Sequence, residues 1–310
     1  GPQQTPIMST TTTPTSTSVP RASGATAVAV LMMALAAVSH GSIFVRLADA
    51  HPFVVSAFRV GTAALIVVPL AVVLRRKELA ALNARTLWAS LGAGAFLALH
   101  FITWIASLGH TSIANSTVLV TLNPVWIAIA TAAFTRRRPS GLVTASVGLS
   151  VAGCAVIAWG SAGGGAGSLV GDGLAVLGGI AAAGYLMMGR LARQRGISLL
   201  AYVALCYGGA AVLLWALVLA LGLPVVGLGT VTYWAMIGMG VISQVIGHSG
   251  YNWALKLFNP AFIAVCLLGE PILASCLGLI YFGEAIPLAT IAGAPLIMAG
   301  IYLGARAERS

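Results

Sequence analysis

Ten long apolar stretches divide the chain, each bounded by a short polar or glycine- and proline-rich segment. They cover residues 25–45, 52–74, 87–108, 112–134, 141–160, 172–191, 198–221, 231–254, 261–282 and 287–305. The hydrocarbon core of a bilayer is about 30 Å thick and takes roughly 20 apolar residues of helix to cross. Each stretch is therefore predicted to be one spanning helix, and the expected fold class is all-α, a polytopic membrane protein. The connections are short. The longest polar one, Arg75 to Thr86, holds Arg75, Arg76, Lys77, Glu78 and Arg85, and the glycine-rich run from Ser161 to Gly171 reads as a flexible link. Residues 1–24 form a Thr-, Ser- and Pro-rich tail that cannot bury a core. In it Gly1-Pro2 reads as a tag scar and Met8 as the natural start, with no cleavable signal peptide. Residues 306–310 are a short polar end.

Composition strengthens this picture. Only 7% of residues are charged and 59% are hydrophobic, against roughly 25% charged in a soluble domain. Most of the surface must face lipid, as one membrane unit with no soluble domain. The net charge of +10 is no nucleic-acid footprint, because the basic residues sit in short clusters between apolar stretches. On one set of alternate connections lie Arg21, Arg75, Arg76, Lys77, Arg85, Arg136, Arg137, Arg138, Arg190, Arg193, Arg195, Lys256, Arg306 and Arg309; on the other lies Arg46 alone. The positive-inside rule then puts both termini in the cytoplasm, and a bacterial inner membrane is the expected location. Cys154, Cys206, Cys266 and Cys276 lie inside apolar stretches without metal-ligand spacing and read as packing residues. No metal or other cofactor is expected.

The second half repeats the first. Leu87-Trp88-Ala89-Ser90-Leu91-Gly92-Ala93-Gly94 matches Tyr233-Trp234-Ala235-Met236-Ile237-Gly238-Met239-Gly240 at an offset of 146. After a one-residue slip, Ala114, Val118, Pro124 and Gly153 fall on Ala261, Val265, Pro271 and Gly300 at an offset of 147. Five spans per half is an odd number, so the second half (172–305) should enter the membrane upside down relative to the first (25–160). Inverted repeats of this kind are typical of secondary transporters.

The residues that carry a family resemblance are Asn123-Pro124, Arg136-Arg137-Arg138-Pro139 and Gly153 in the first half, and Gly269-Glu270-Pro271, Gly283-Glu284 and Gly300 in the second. In this pattern the chain resembles the EamA-type members of the drug/metabolite transporter superfamily, most closely the YddG-type amino-acid exporters, over nearly all of residues 25–305. The resemblance implies ten helices in two inverted halves and a central cavity lined mainly by the third, fourth, eighth and ninth spans, helped by the first and sixth. It also implies export of amino acids or related metabolites. One departure stands out: Asn123 and Arg137 occupy places where many members carry Glu, so any proton carried by that Glu is not carried in this half.

Polar residues at bilayer depth cost at least about 2.5 kcal/mol each when ionised and should face the bundle interior. Glu270 is an acid well inside a span. Beside it Pro271, like Pro124 in the other half, removes a backbone donor and is expected to kink its helix. Glu270 reads either as a partner for a substrate ammonium or proton, or as a structural acid at a helix end. Gln244, His248 and Asn252 recur at i, i+4 and i+8 with Gly247 and Gly250 beside them, and either line a cavity or bond between helices. His100, Thr103, Trp104 and Ser107 share a face of the third span, and Trp104 corresponds by the repeat to Tyr251. Asn115 and Asn123 share a face of the fourth span; the sequon at Asn115 is embedded and carries no signal. Tyr185, His40 and Ser39 are weaker cavity residues. Arg59 is expected to snorkel to headgroups. The small-xxx-small run Gly300 to Gly304 reads as helix packing, with a homodimer seam as the other option.

These features favour a secondary transporter for a small organic solute in a lipid bilayer. There is no nucleotide-binding loop, so ATP does not drive it directly. A membrane-embedded enzyme would need paired catalytic groups that the spans do not hold, and a channel would need a ring of charges or carbonyls.

Overall fold

The computed structural model describes residues 24–107, 110, 116, 119–120, 122–136, 138–160, 169–283, 285–286 and 288–308, and among them only helices and their connections occur. The helices are α1 (Gly24–Leu47), α2 (Pro52–Leu74), a short α3 (Arg76–Ala80), α4 (Ala84–Ser107), α5 (Asn123–Thr135), α6 (Gly141–Gly160), α7 (Leu169–Gln194) and α8 (Leu199–Ala220). After them come α9 (Thr230–Ala254), α10 (Pro260–Leu267), α11 (Glu270–Phe282) and α12 (Leu288–Ala307). Eight candidate spans, α10 and α11 together counting as one, are long and apolar enough to cross a membrane, and α5 and α6 add two shorter apolar stretches.

Local chemistry sets the helix ends. His51 Nδ1 accepts from Phe53 N ahead of α2, Ser198 Oγ accepts from Ala201 N ahead of α8, and Asn259 Oδ1 accepts from Ala261 N ahead of α10. Pro52, Pro124, Pro260 and Pro271 sit in first turns, where a missing N–H costs nothing. α5 and α11 both stop at a left-handed residue, Arg136 (φ 55°) and Gly283 (φ 67°). Gly283 takes that conformation freely, whereas Arg136 does so at a steric cost.

The repeat recurs in the helices and is exact for two pairs. α5 and α11 start and stop 147 positions apart, as do α6 and α12. Trp88 and Trp234, matched in sequence, are both 69% exposed on the outer surface. The two halves exchange partners: α1 packs on α9 as α7 packs on α4, α2 packs on α8, and α6 packs on α12. Equivalent helices also run antiparallel. Gly61 lies against Trp215 while Gly208 lies against Val68, so α2 and α8 oppose each other. Gly153 meets Gly293 and Ile297 while Gly304 meets Ser146, so α6 and α12 do too. The two halves are thus related by a pseudo-twofold axis that inverts one on the other.

Several expectations need correction. The ninth stretch is not one kinked helix: α10 ends at Leu267 and α11 starts at Glu270, with tight turns Leu268 N to Val265 O (3.1 Å) and Gly269 N to Cys266 O (3.0 Å) between them. Pro271 therefore starts a helix rather than bending one. In the first half Leu122 N bonds Leu119 O and α5 restarts at Asn123, so Pro124 has the same place. Residues 169–171, assigned to the glycine-rich link, are already helical. α9 contains a π-helical stretch, Met239–His248, between α-helical ends. A π-bulge is an α-helix with one residue inserted, and this one occupies the region where the repeat slips from 146 to 147.

The run Gly300–Gly304 packs inside the chain, against Ser146, Ser150 and Phe262 of α6 and α10, and Ser146 Oγ donates to Gly300 O at 2.8 Å. A side chain at Gly300 would fall on Ser150 and lie 2.7 Å from Ser146 O. Gly300→Val should therefore lower the unfolding midpoint in detergent markedly, at a cost of about 1–3 kcal/mol. Gly148→Ala, whose Cβ meets nothing within 4 Å, should leave the midpoint unchanged or raise it. Equal midpoints for the two variants would contradict this packing.

Candidate solute-binding site at the pseudo-twofold axis

Where the two halves meet, polar side chains from five helices converge. Arg59 of α2 is 8% exposed, and its Nε donates to Gln244 Oε1 of α9 at 2.8 Å. The guanidinium lies 4.8 Å from the Phe101 ring centroid of α4, a cation–π distance. Tyr185 Oη of α7 donates to Asn252 Oδ1 at 3.0 Å, and Asn252 Nδ2 donates to Tyr207 Oη of α8 at 3.1 Å. Tyr207 Oη also lies 3.2 Å from Ser249 Oγ and 3.4 Å from Gln244 O. Arg193 Nε donates to Asn252 O at 3.2 Å.

The axis itself passes close to this cluster. Counting back from the Trp104–Tyr251 match, His248 is the repeat counterpart of Phe101, and the two rings lie 6.3 Å apart. Residues related by the axis can touch only beside it.

Donor and acceptor identity fixes two ring tautomers. His100 Nδ1 lies 2.9 Å from the Gly178 carbonyl, which only accepts, so Nδ1 carries the proton and Nε2 of the neutral ring accepts. Tyr185 spends its hydroxyl proton on Asn252, so in its 3.4 Å contact with His248 the Nδ1 donates, and His248 Nε2 is again the acceptor. Trp104 stacks on His100 at 6.0 Å and 8°. Seven buried polar atoms of the described residues have no partner in the protein, and three of them, Trp104 Nε1, Gln244 Nε2 and Tyr251 Oη, belong to this cluster. Buried donors are nearly always satisfied, so these three groups are left to bond a water or a ligand.

The predicted residues separate into groups. Tyr185, Gln244, His248 and Asn252 fall in the cluster, with His100 and Trp104 stacked on its α4 wall. Tyr251 lies edge-on to His248 at 6.2 Å. Glu270 is half-buried in the first turn of α11, where the helix dipole favours a carboxylate; its charge reaches Arg59 and Tyr251, but none of the described residues hydrogen-bonds to it. Thr103 bonds back to Leu99 O of its own helix at 2.8 Å. Asn123 is buried in the first turn of α5. Asn115 lies outside the described residues. His40 bonds Ala36 O and meets Tyr281 edge-on, away from the cluster. Gly247 and Gly250 accommodate a neighbouring helix: a Cβ there would strike Val38 and Ala34 of α1.

Arg59, Tyr207, Ser249 and Arg193 join the cluster without having been expected there. Arg59 does not snorkel; it turns inward and is held by Gln244. α2 and α8 pair at an offset of 147, as the symmetric contacts Gly61–Trp215 and Gly208–Val68 show, and at that offset the counterpart of Arg59, Cys206, is fully buried. Tyr207 had no polar neighbours at helical spacing and gave no signal. A separate cavity of about 300 Å³ lies between α5, α6, α10 and α12, lined by Thr131, Arg138, Ser146, Asn259, Phe262 and Glu308 among others, and holds none of the cluster.

A helical membrane protein of two inverted halves, with polar groups gathered on the axis between them, has the architecture of a secondary transporter. The chain belongs to the EamA-like transporter family, whose pattern matches residues 27–159 and again 169–305, one copy per half. It is thereby a multi-pass membrane transporter of the drug/metabolite superfamily, and the family is one of transporters rather than enzymes. No curated relative matches the chain. A solved crystal structure, described only as that of a protein, has a TM-score of 0.76 and 19% identity over 92% of this chain and 98% of its own, a likeness of fold alone.

Asn252 is the node of the cluster. Asn252→Ala would remove one hydrogen bond each from Tyr185 and Tyr207, leaving Tyr185 its long contact with His248 and Tyr207 its contacts with Ser249 and Gln244, at a cost of about 1 kcal/mol per bond lost. Thermal unfolding in detergent should show a clearly lower midpoint for this variant than for Thr103→Ala, whose hydroxyl bonds only its own helix. Indistinguishable midpoints would count against the node.

Proposed function

We propose that the chain exports small neutral metabolites from the cytoplasm by alternating access, with amino acids such as threonine, methionine or an aromatic one as first substrates. The observation that carries this reading is the set of unpartnered donors and free imidazole acceptors beside the pseudo-twofold axis, where rocking of one half on the other would expose a site to each side in turn. Both ends of a zwitterion are provided for: N–H donors for its carboxylate, and Glu270 with the histidine Nε2 atoms for its ammonium. Trp104, Phe101 and Tyr251 offer an apolar wall for its body. The family resemblance to YddG-type exporters points the same way.

In this reading all ten apolar stretches cross the membrane, both termini lie in the cytoplasm and the membrane is a bacterial inner membrane, supported by the fourteen-to-one distribution of Lys and Arg between its two faces. The solute-facing set is His100, Trp104, His248, Tyr251 and Glu270, with Thr103 and Asn123 as further candidates. Tyr185, Gln244 and Asn252 hold the site together. A drug or another metabolite is the alternative substrate within the same fold.

Reconstituted vesicles should show counterflow of a neutral amino acid, with or without an imposed pH gradient. No competition by any neutral amino acid across a metabolite panel would remove the substrate assignment and leave the fold untouched. Glu270 is an acid in the first turn of α11, and it interacts electrostatically with Arg59 and Tyr251. If it carries the coupling proton, Glu270→Gln should keep counterflow but lose the response to the pH gradient. A variant that responds as the wild type does would end the proton-coupling idea.

A further inference from the structure

Arg59 is unusual among the described arginines because it lies two turns inside a spanning helix. Arg46, Arg190, Arg193 and Arg306 all sit close to helix ends. Interior charge of this kind is costly and is kept where it serves a site. Its compensation here is incomplete. Nε has Gln244 and the guanidinium face has Phe101, but the two Nη groups hydrogen-bond to none of the described residues. Glu270 contributes its field without forming an ion pair. Beside the guanidinium, on the amide that accepts from Nε, Gln244 Nε2 is fully buried and also has no partner. The orientation of that amide follows from chemistry, because an arginine can only donate.

The groups left over therefore form a fork of charged donors with a neutral amide donor next to it. That arrangement matches a planar anion with two oxygens, taken bidentately by the Nη pair. A lysine-like point charge or a neutral polar wall would not impose this shape. The repeat supplies no second copy: the counterpart of Arg59 is Cys206, so the site can bind one such group in one orientation.

We propose that Arg59, with Gln244 beside it, is the carboxylate anchor of the transport site, so that the solute must carry a free carboxylate and is oriented by it. This rests on the transport reading above and specifies which end of the solute the protein recognises. Amines and amides of the same body would leave the guanidinium uncompensated as the site closes and would bind poorly.

The test is calorimetric titration of the purified full chain in detergent with phenylalanine, phenylalaninamide and 3-phenylpropionate. The wild type should bind the two carboxylates at least about tenfold more tightly than the amide, the range expected for charge-assisted hydrogen bonds. Arg59→Gln should shrink that preference to within about twofold, and Arg59→Lys should keep part of it. The comparison of ligands on the wild type needs no variant to fold. Binding of the amide as tight as that of phenylalanine, an unchanged preference in Arg59→Gln, or no binding of either carboxylate would overturn the anchor. If 3-phenylpropionate binds in an Arg59-dependent way and phenylalanine does not, the anchor stands and the amino-acid assignment falls. If phenylalanine binds without preference over its amide, the amino-acid assignment stands and the anchor falls.

Discussion

A charged or polar side chain at bilayer depth has no water to turn to, so its partners must come from other helices. Arg59 makes that constraint concrete. Its Nε bond to Gln244 ties α2 of the first half to α9 of the second, and the Tyr185–Asn252–Tyr207 chain ties α7 and α8 to the same helix. Lipid tails give helices little hydrophobic reason to associate, so small-residue packing and polar bonds carry more of the cohesion. The glycine contacts between α6 and α12 and between α4 and α8 meet the first need; the axial cluster meets the second. A transporter also needs its halves to part and re-form, and a short list of polar bonds suits that better than a broad oily interface.

The two halves share a backbone plan but not a chemistry. At the axis the first half offers Phe101, Trp104 and Ile105 where the second has His248, Tyr251 and Asn252. On α2 and α8 the exchange is Arg59 for Cys206 and Val60 for Tyr207. Polar character is thus concentrated on one side of the axis, and Arg59 is the first half's answer to it. Among the described residues the π-helical insertion falls in α9 alone, in the helix that carries Gln244 and His248. Such insertions recur at functional sites.

Much of this was legible in the sequence because lipid simplifies the problem. Apolar length located eight candidate spans and two shorter apolar helices among the described residues, with ends such as 52–74 and 141–160 reproduced to the residue, while the first part of the stretch 112–134 lies largely outside the described residues. The repeat was legible through Trp88 and Trp234 and through Gly153 and Gly300, because lipid-facing and closely packed positions tolerate few residue types. The slip from 146 to 147 was visible as a number, but its cause, an inserted residue in a continuous helix, has no signature in composition. Arg59 was misplaced for a physical reason: a cation seven residues into a span can reach headgroups or turn inward, and only the position of Gln244, far away in the chain, decides. The break before Glu270 was misjudged because Pro serves equally well inside a kink and in a first turn.

A transport site on the axis requires the two halves to be equivalent and opposed. Ala80, following α2, and Val226, following α8, lie in corresponding connections of the two halves, and both are exposed. Single cysteines at these two positions should be labelled by an impermeant maleimide from opposite sides of the membrane in oriented vesicles. Labelling of both from the same side would contradict the inverted arrangement and, with it, the placement of a transport site on the axis between the halves.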